Sequence, residues 1–300
     1  MADWPPLRAL LSGYAINGEL GLFPYSAKRR RADFNMTMET RDYVVENPLP
    51  IPATWSKGAR KGRLGPRHPL ALKSPRVSII IPAHNEEKYI ATTLEALKRQ
   101  NYLLHEVIVV ANGCTDRTAE VARGQCHRLI ILSEKSLGVA RNLGARLARG
   151  DLLLFLDADT LLEPGALKKI TADFTPEYAA GTLRGVPDCP RLKYKFIYSV
   201  KNLTHQTKFH RGSAGVILCW RKHFMEIGGF DEGLQVSENS ELMRRLARFG
   251  GYKYIRETAA TTSMRRYDQR GCSRMTWLWL KLWVLSLFGD LHNRNYETIR

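Results

Sequence analysis

Four apolar runs set the terms for this chain: VSIII (77–81), EVIVV (106–110), RLIIL (128–132) and DLLLFL (151–156). None alternates apolar with polar residues, as a strand with one wet face would. Continuous runs of this length mark strands buried on both sides, the habit of parallel sheets. The segments between them read as helices. After the first run, Asn85 is suited to cap a helix, Glu86 and Glu87 suit its first turn, and Ile90, Leu94 and Leu97 recur at helical spacing. TDRTAEVAR, opened by Thr115, and LGVARNLGARLARG, stopped by Gly150, supply two more. Four strands alternating with three helices predict an α/β fold with a mostly parallel sheet flanked by helices. Ligands of such sheets bind at the carboxyl ends of the strands. PAHN, ANGCTD and DADT all fall there.

The fourth run ends in Asp157 and Asp159. In an extended chain, residues i and i+2 share a face, so both carboxylates are expected to point the same way. Like charges so placed repel unless a cation lies between them. A hard divalent ion, Mg²⁺ or Mn²⁺, takes oxygen ligands and keeps positions open for phosphate. Isolated Asp-x-Asp patterns are common, and Asp159 capping the next turn is the plainer alternative. The neighbouring strand-end loops favour the metal. Dinucleotide and triphosphate loops are excluded, because neither G-x-G-x-x-G after the first strand nor G-x-x-x-x-G-K-[ST] occurs.

Beyond Thr160 the pattern is less regular. EPGALKKITADF (163–174) and ENSELMRRLARFGG (238–251) read as helices, while SAGVILCW (213–220) and GYKYIRETAATT (251–262) read as strands. WLWLKLWVLSLF (277–288) is dense in Trp and Leu, suited to a membrane interface or to core packing. It is too short to span a bilayer. Asn47 to Asn85 holds no acidic residue, and its Pro-rich middle carries seven Lys/Arg, the composition of an extended basic arm or solvated linker. Residues 1–46 show no period. The net charge of +17 favours an anionic partner: nucleic acid, acidic lipid or a phosphorylated substrate. No nucleic-acid motif accompanies it. Five scattered cysteines without a C-x-x-C pair fit free thiols in a reducing compartment. The N-terminus lacks a signal-peptide pattern, so the expected location is cytoplasmic, peripheral at the inner face of the membrane.

RVSIIIPAHNEEKYIATTLEAL, EVIVVANGCTDRTAEVA and LGVARNLGARLARGDLLLFLDADT, followed by EIGGFDEGL and SENSELMRRLARFG, resemble the inverting glycosyltransferases of family 2 with the GT-A fold, in matching order across roughly residues 76–267. The resemblance divides the chain into an N-terminal extension (1–75), a catalytic domain (76–267, with a nucleotide-sugar half to 160 and an acceptor half from 161), and a C-terminal amphipathic segment (268–300). It implies that Pro82, Ala83, Asn85 and Glu86 lie against the nucleoside. Asn112 and Asp116 stand in the next loop, where the family usually has two adjacent aspartates, so the base, uracil or guanine, stays open. Gly138, Arg141 and Asn142 match the helix start lining the sugar-diphosphate pocket. Asp157 and Asp159 match the metal pair, and Arg265 and Arg266 match a basic loop that closes over diphosphate.

The family's catalytic base is the Asp of a Glu-Asp pair, but here the pair reads Glu238-Asn239. An amide cannot take a proton at neutral pH. Glu238 or Glu241 then serves as base, or activity is lost, or the acceptor needs no base because it is already an anion, as a polyprenyl phosphate is. The resemblance implies a metal-dependent transferase that takes a UDP- or GDP-linked sugar to a lipid-linked or glycan acceptor, with membrane contact through 277–288. The alternatives are a sugar-phosphate nucleotidyltransferase, disfavoured by the missing triphosphate loop, and a non-catalytic sugar-nucleotide-binding relative.

Overall fold

The computed structural model describes residues 42–47, 49, 75–206, 215–234, 237–278 and 281. Strands β1 (Tyr43–Glu46), β2 (Val77–Ala83), β3 (His105–Asn112), β4 (Arg128–Leu132), β5 (Leu152–Leu156), β6 (Thr160–Leu162), β7 (Tyr178–Pro187), β8 (Val216–Trp220) and β9 (Gly251–Thr262) form one sheet. Their order is β1-β4-β3-β2-β5-β8-β7-β9-β6.

The centre, β4-β3-β2-β5, is parallel, as the apolar runs predict. β2 aligns Val77 with His105 on one side and Leu152 on the other. The chain steps outward from β2 to β3 and β4, then returns to lay β5 on the far side of β2. In α/β sheets such a reversal is where ligands bind, here beyond the ends of β2 and β5. Successive residues serve opposite faces. Ile79, Ile81, Val107, Val109 and Leu154 cluster with Ile90, Leu94 and Leu97 of α1 (Ile90–Lys98). Ile80, Ile108, Val110, Leu153 and Phe155 cluster with Val139, Ala140 and Leu143 of α3 (Leu137–Leu147). Each such aliphatic side chain contributes about 1.5–3 kcal/mol on full burial. α2 (Thr118–Ala122) links β3 to β4.

β1 comes from the N-terminal stretch that shows no period, and pairs antiparallel with β4. The basic arm lies outside the described residues. The second half adds α4 (Ala166–Asp173), α5 (Leu192–His205), α6 (Arg221–Glu226), α7 (Glu238–Leu246) and α8 (Arg265–Arg270), then a helical run at 272–278. β7 and α5 are additions that the sequence pattern does not announce. Asn202 fixes α5 to β7, donating to the Gly185 carbonyl at 2.8 Å and accepting from its N–H at 2.9 Å.

Two local expectations are corrected. Asn85 does not cap α1, which begins five residues later; it takes a left-handed φ of 55° and its carboxamide accepts from the Thr115 N–H at 2.9 Å, tying the β2 and β3 loops together. Nor do Asp157 and Asp159 share a strand face. β5 stops at Leu156, and a turn closed by Thr160 N–H to Asp157 O (3.0 Å) carries both aspartates.

Candidate active site

The turn at 157–159 directly follows the carboxyl end of β5. It leaves the Asp157 side chain 41% exposed and the Asp159 side chain 8% exposed. Gly215 lets the β8 entry pass underneath: its φ is +76°, and a Cβ there would lie 2.5 Å from Thr160 Oγ1. Burial and the Asp157 charge push the Asp159 carboxyl up to about 6, against the pull of Arg265 and Arg266. Two carboxylates that repel in this way fit a divalent ion that completes its shell with water and phosphate oxygens. Among the described residues, no cluster of three or more acidic, His or Cys side chains could hold a metal ion.

Two arginines serve one aspartate each. Arg141, from the second turn of α3, is nearly sealed from water. Its Nη2 donates to Asp157 Oδ1 at 3.3 Å, and its Nη1 to Glu238 Oε1 at 3.2 Å and Asn239 Oδ1 at 2.9 Å. The guanidinium lies 5.0 Å from the Phe230 ring centre. Arg265, at the start of α8, reaches Asp159 Oδ2 at 3.0 Å and Glu86 Oε1 at 2.5 Å, over the Tyr89 ring at 4.3 Å. Residues up to 179 positions apart thus meet because β2, β5 and β9 end, and α7 begins, at this edge.

Several predicted residues turn out to build the site's frame. Asn142 is buried, donates to Phe230 O (3.0 Å) and Glu232 Oε1 (2.9 Å), and accepts from Phe230 N–H (2.8 Å), so it pins the GGFDE loop. Gly138 brings α3 against that loop, where a Cβ would sit 3.2 Å from Glu232 Cα. Asn112 donates to Ala83 O at 2.9 Å, clamping the ends of β3 and β2 beside Pro82. Asp116 accepts from the Thr118 and Glu87 backbone N–H groups at 2.9 and 3.1 Å. Burial alone would raise its carboxyl, but the Thr118 and Glu87 hydrogen bonds outweigh it and hold the group below the usual range. Glu241 turns along its helix to Arg245, at 2.6 Å from each oxygen, while Arg245 also donates to Ile227 O. Of the three candidates at 238–241, only Glu238 and Asn239 join the Arg141 cluster.

Residues of α5 border the site and escape the sequence reading. The Tyr198 hydroxyl hydrogen-bonds Thr262 beside the Asp159 turn, and burial, with the Asp159, Asp188 and Asp157 charges, pushes its phenol up to about 12. Lys201 sits between the Tyr198 and Tyr267 rings, 5.1 and 5.2 Å from their centres. Burial, aided by the Arg266 charge, lowers its ammonium to about 8. The signal was the i, i+3 pairing of Tyr198 with Lys201.

A parallel sheet with a strand-order reversal, extended by antiparallel strands and crowned by paired carboxylates and arginines, is the GT-A architecture. The chain belongs to glycosyl transferase family 2, whose model matches residues 78–228. A relative, the PGL/p-HBAD biosynthesis glycosyltransferase of Mycobacterium bovis, is 30% identical over 196 residues, covering 58% of this chain and 74% of its own. The chain spans about half the length, or less, of other curated relatives that it matches. The fold is similar to that of the mannosyltransferase PcManGT from Pyrobaculum calidifontis in complex with GDP-Man and Mn²⁺ (TM-score 0.52, 19% identity, 69% of this chain and 61% of that one). It is also similar to S. aureus TarS 1–349 in complex with UDP-GlcNAc (TM-score 0.51, 19% identity, 63% and 58%).

Proposed function

We propose that this chain is a metal-dependent inverting glycosyltransferase that moves a sugar from a UDP- or GDP-linked donor to an anionic, lipid-linked acceptor at a membrane surface, a polyprenyl phosphate being the preferred class. The observation that carries it is the joint placement of Asp157, Glu238 and Asn239 against the Arg141 guanidinium, beside the Asp159–Arg265–Glu86 group. The nucleoside end of the donor would lie in the crevice between the β2 and β3 loops. Asp157 and Asp159 would hold Mg²⁺ or Mn²⁺, which when bound neutralises charge on the diphosphate.

The chain's own residues do the remaining work. Arg265, Arg266 and Lys201 supply positive charge on the side where a diphosphate would leave. Arg141 holds Asp157 and the start of α7 in fixed relation, which sets the acceptor's approach. The acceptor oxygen forms a bond to the anomeric carbon from the face opposite the diphosphate, as the bond from that carbon to the phosphate oxygen breaks. A phosphate acceptor brings its charge already in place, so an amide at 239 suffices. A glycan or glycolipid hydroxyl is the second reading, favoured by Glu238 in the same cluster, which would accept the proton.

A thermal-shift screen of UDP- and GDP-sugars with Mn²⁺ tests the reading, since a ligand that binds the folded state alone raises Tm. One donor class should stabilise wild type and lose its Mn²⁺-dependent part in Asp159→Asn. No shift with any donor, or an equal shift in the variant, would refute it.

A further inference from the structure

Helix α5 carries its apolar residues on the wrong side for core packing. Tyr194, Tyr198 and His205 face inward, whereas Leu192 (83% exposed), Phe196 (71%), Val200 (46%) and Leu203 (65%) face out. At 100° per residue these four fall within an arc of about 80°. Lys193 and Lys195 stand on either side of that arc, one on each flank. An apolar stripe bordered by lysines is the pattern of a helix lying in a membrane interface. The stripe is held rigidly, since Asn202 ties α5 to β7 and Tyr194 donates to Asp268 of α8. The run at 272–278 packs on the inner side of α5 through Met275, and leaves Trp277 68% exposed.

We infer that the outer face of α5, with Trp277, docks onto an anionic lipid surface. The occupant is identified by charge: lysines flank the apolar residues, Arg191, Arg270 and Arg274 lie on the same helical assembly, and the chain as a whole carries +17. Continuity points the same way, because Trp277 leads into the Trp/Leu-rich sequence 277–288. The inner side of the same helix presents Tyr198 to the Asp159 region, with Lys201 against the Tyr198 ring. Docking through α5 therefore sets the site beside the headgroup layer, where a lipid-linked acceptor presents its phosphate. The inference rests on the membrane acceptor of the proposed function and names the surface that reaches it.

The experiment is co-sedimentation of the full chain with phosphatidylcholine vesicles, with and without phosphatidylglycerol, together with light scattering of the protein alone. The double variant Phe196→Ser/Leu203→Ser should partition at least about tenfold less onto the mixed vesicles. Lys193→Glu/Lys195→Glu should lose the preference for phosphatidylglycerol. Because the altered side chains are exposed, donor hydrolysis without vesicles should stay unchanged in both. Equal sedimentation of wild type and the serine variant overturns the inference. So does conversion of a dimer to a monomer by that variant with vesicle binding intact, which would make a second copy the occupant. A lowered Tm with unchanged vesicle binding also overturns it, making the chain's own C-terminal segment the cover. Failure of the transferase reading looks different: no donor stabilises the protein, yet the serine variant still leaves the vesicles.

Discussion

Arg265 and Asp159 form a 3.0 Å ion pair in which both side chains are largely withdrawn from water, and the same Arg265 nitrogen holds Glu86. A cation thus already rests on the carboxylate expected to take a metal. At about pH 8, above the Asp159 value of about 6, the aspartate is ionised and the arginine competes with the metal for it. Arg265→Met should therefore bind Mn²⁺ more tightly in the absence of nucleotide, by about tenfold, equivalent to about 1.4 kcal/mol. On the proposed mechanism the same variant should transfer sugar more slowly, since it lacks the Arg265 charge. Mn²⁺ titration by electron paramagnetic resonance reads the first effect. Unchanged Mn²⁺ affinity would mean that the pair does not gate the ion.

Lys201 gives a pH dependence whose sign follows from its lowered ammonium. Unfolded, the lysine stays protonated to about 10.4; folded, it releases its proton near 8. The fold therefore carries an unfavourable charge below about 8, and stability rises as pH climbs between the two values. Lys201→Met should raise Tm at neutral pH, with the gain shrinking in alkali. The donor KM of wild type should rise as pH passes through about 8 and the positive charge is lost, while the variant shows a high, flat KM. A KM profile for the variant that still bends near 8 would assign the titration elsewhere.

Gly144 is where α3 meets the sheet most closely. A Cβ there would lie 2.5 Å from Ile80 Cγ2 and 3.3 Å from Val110 Cγ2. Ile80 is fully buried in the centre of β2, so its side chain or α3 must shift. Gly144→Ala should destabilise by about 1–3 kcal/mol, the usual cost of overpacking. Because α3 also carries Arg141, the shift should slow transfer as well. Denaturant unfolding measures the first effect, and unchanged stability would show that α3 has room to move.

Much of the central sheet was legible because burial on both faces leaves an unbroken apolar signature, as in VSIII and LLLFL. The edge that carries the candidate site was legible as a set of loops because short polar segments follow those runs directly. The turn at Asp157–Asp159 was not, since an apolar run does not say where its last hydrogen bond falls. α5 was hidden for a different reason. Its apolar residues face outward and its tyrosines inward, so the usual rule inverts and the helix blurs into irregular sequence. β1 is four residues long, with two of them exposed, too brief to show a period. Frame and ligand roles also look alike in sequence: Asn112 and Asn142 are as polar as any ligand, and only their hydrogen bonds to Ala83 O and Phe230 show what they hold.

A substitution at Asn239 tests the two proposed acceptor classes against each other. Its Oδ1 accepts from Arg141 at 2.9 Å, while Asp157 and Glu238 already place two carboxylates on that guanidinium. The amide keeps the hydrogen bond without adding a third negative charge, which suits an approaching anion. Asn239→Asp keeps the shape and adds the charge. With a phosphate acceptor, the added repulsion should raise the acceptor KM by about tenfold or more, a cost of about 1.4 kcal/mol at close range. With a hydroxyl acceptor, the new carboxylate is a base, and general base catalysis should raise kcat, by up to about a hundredfold. Assaying wild type and variant with polyprenyl phosphate and with a neutral glycolipid separates the cases. A variant that gains on the glycolipid while wild type ignores polyprenyl phosphate would remove the anionic-acceptor reading.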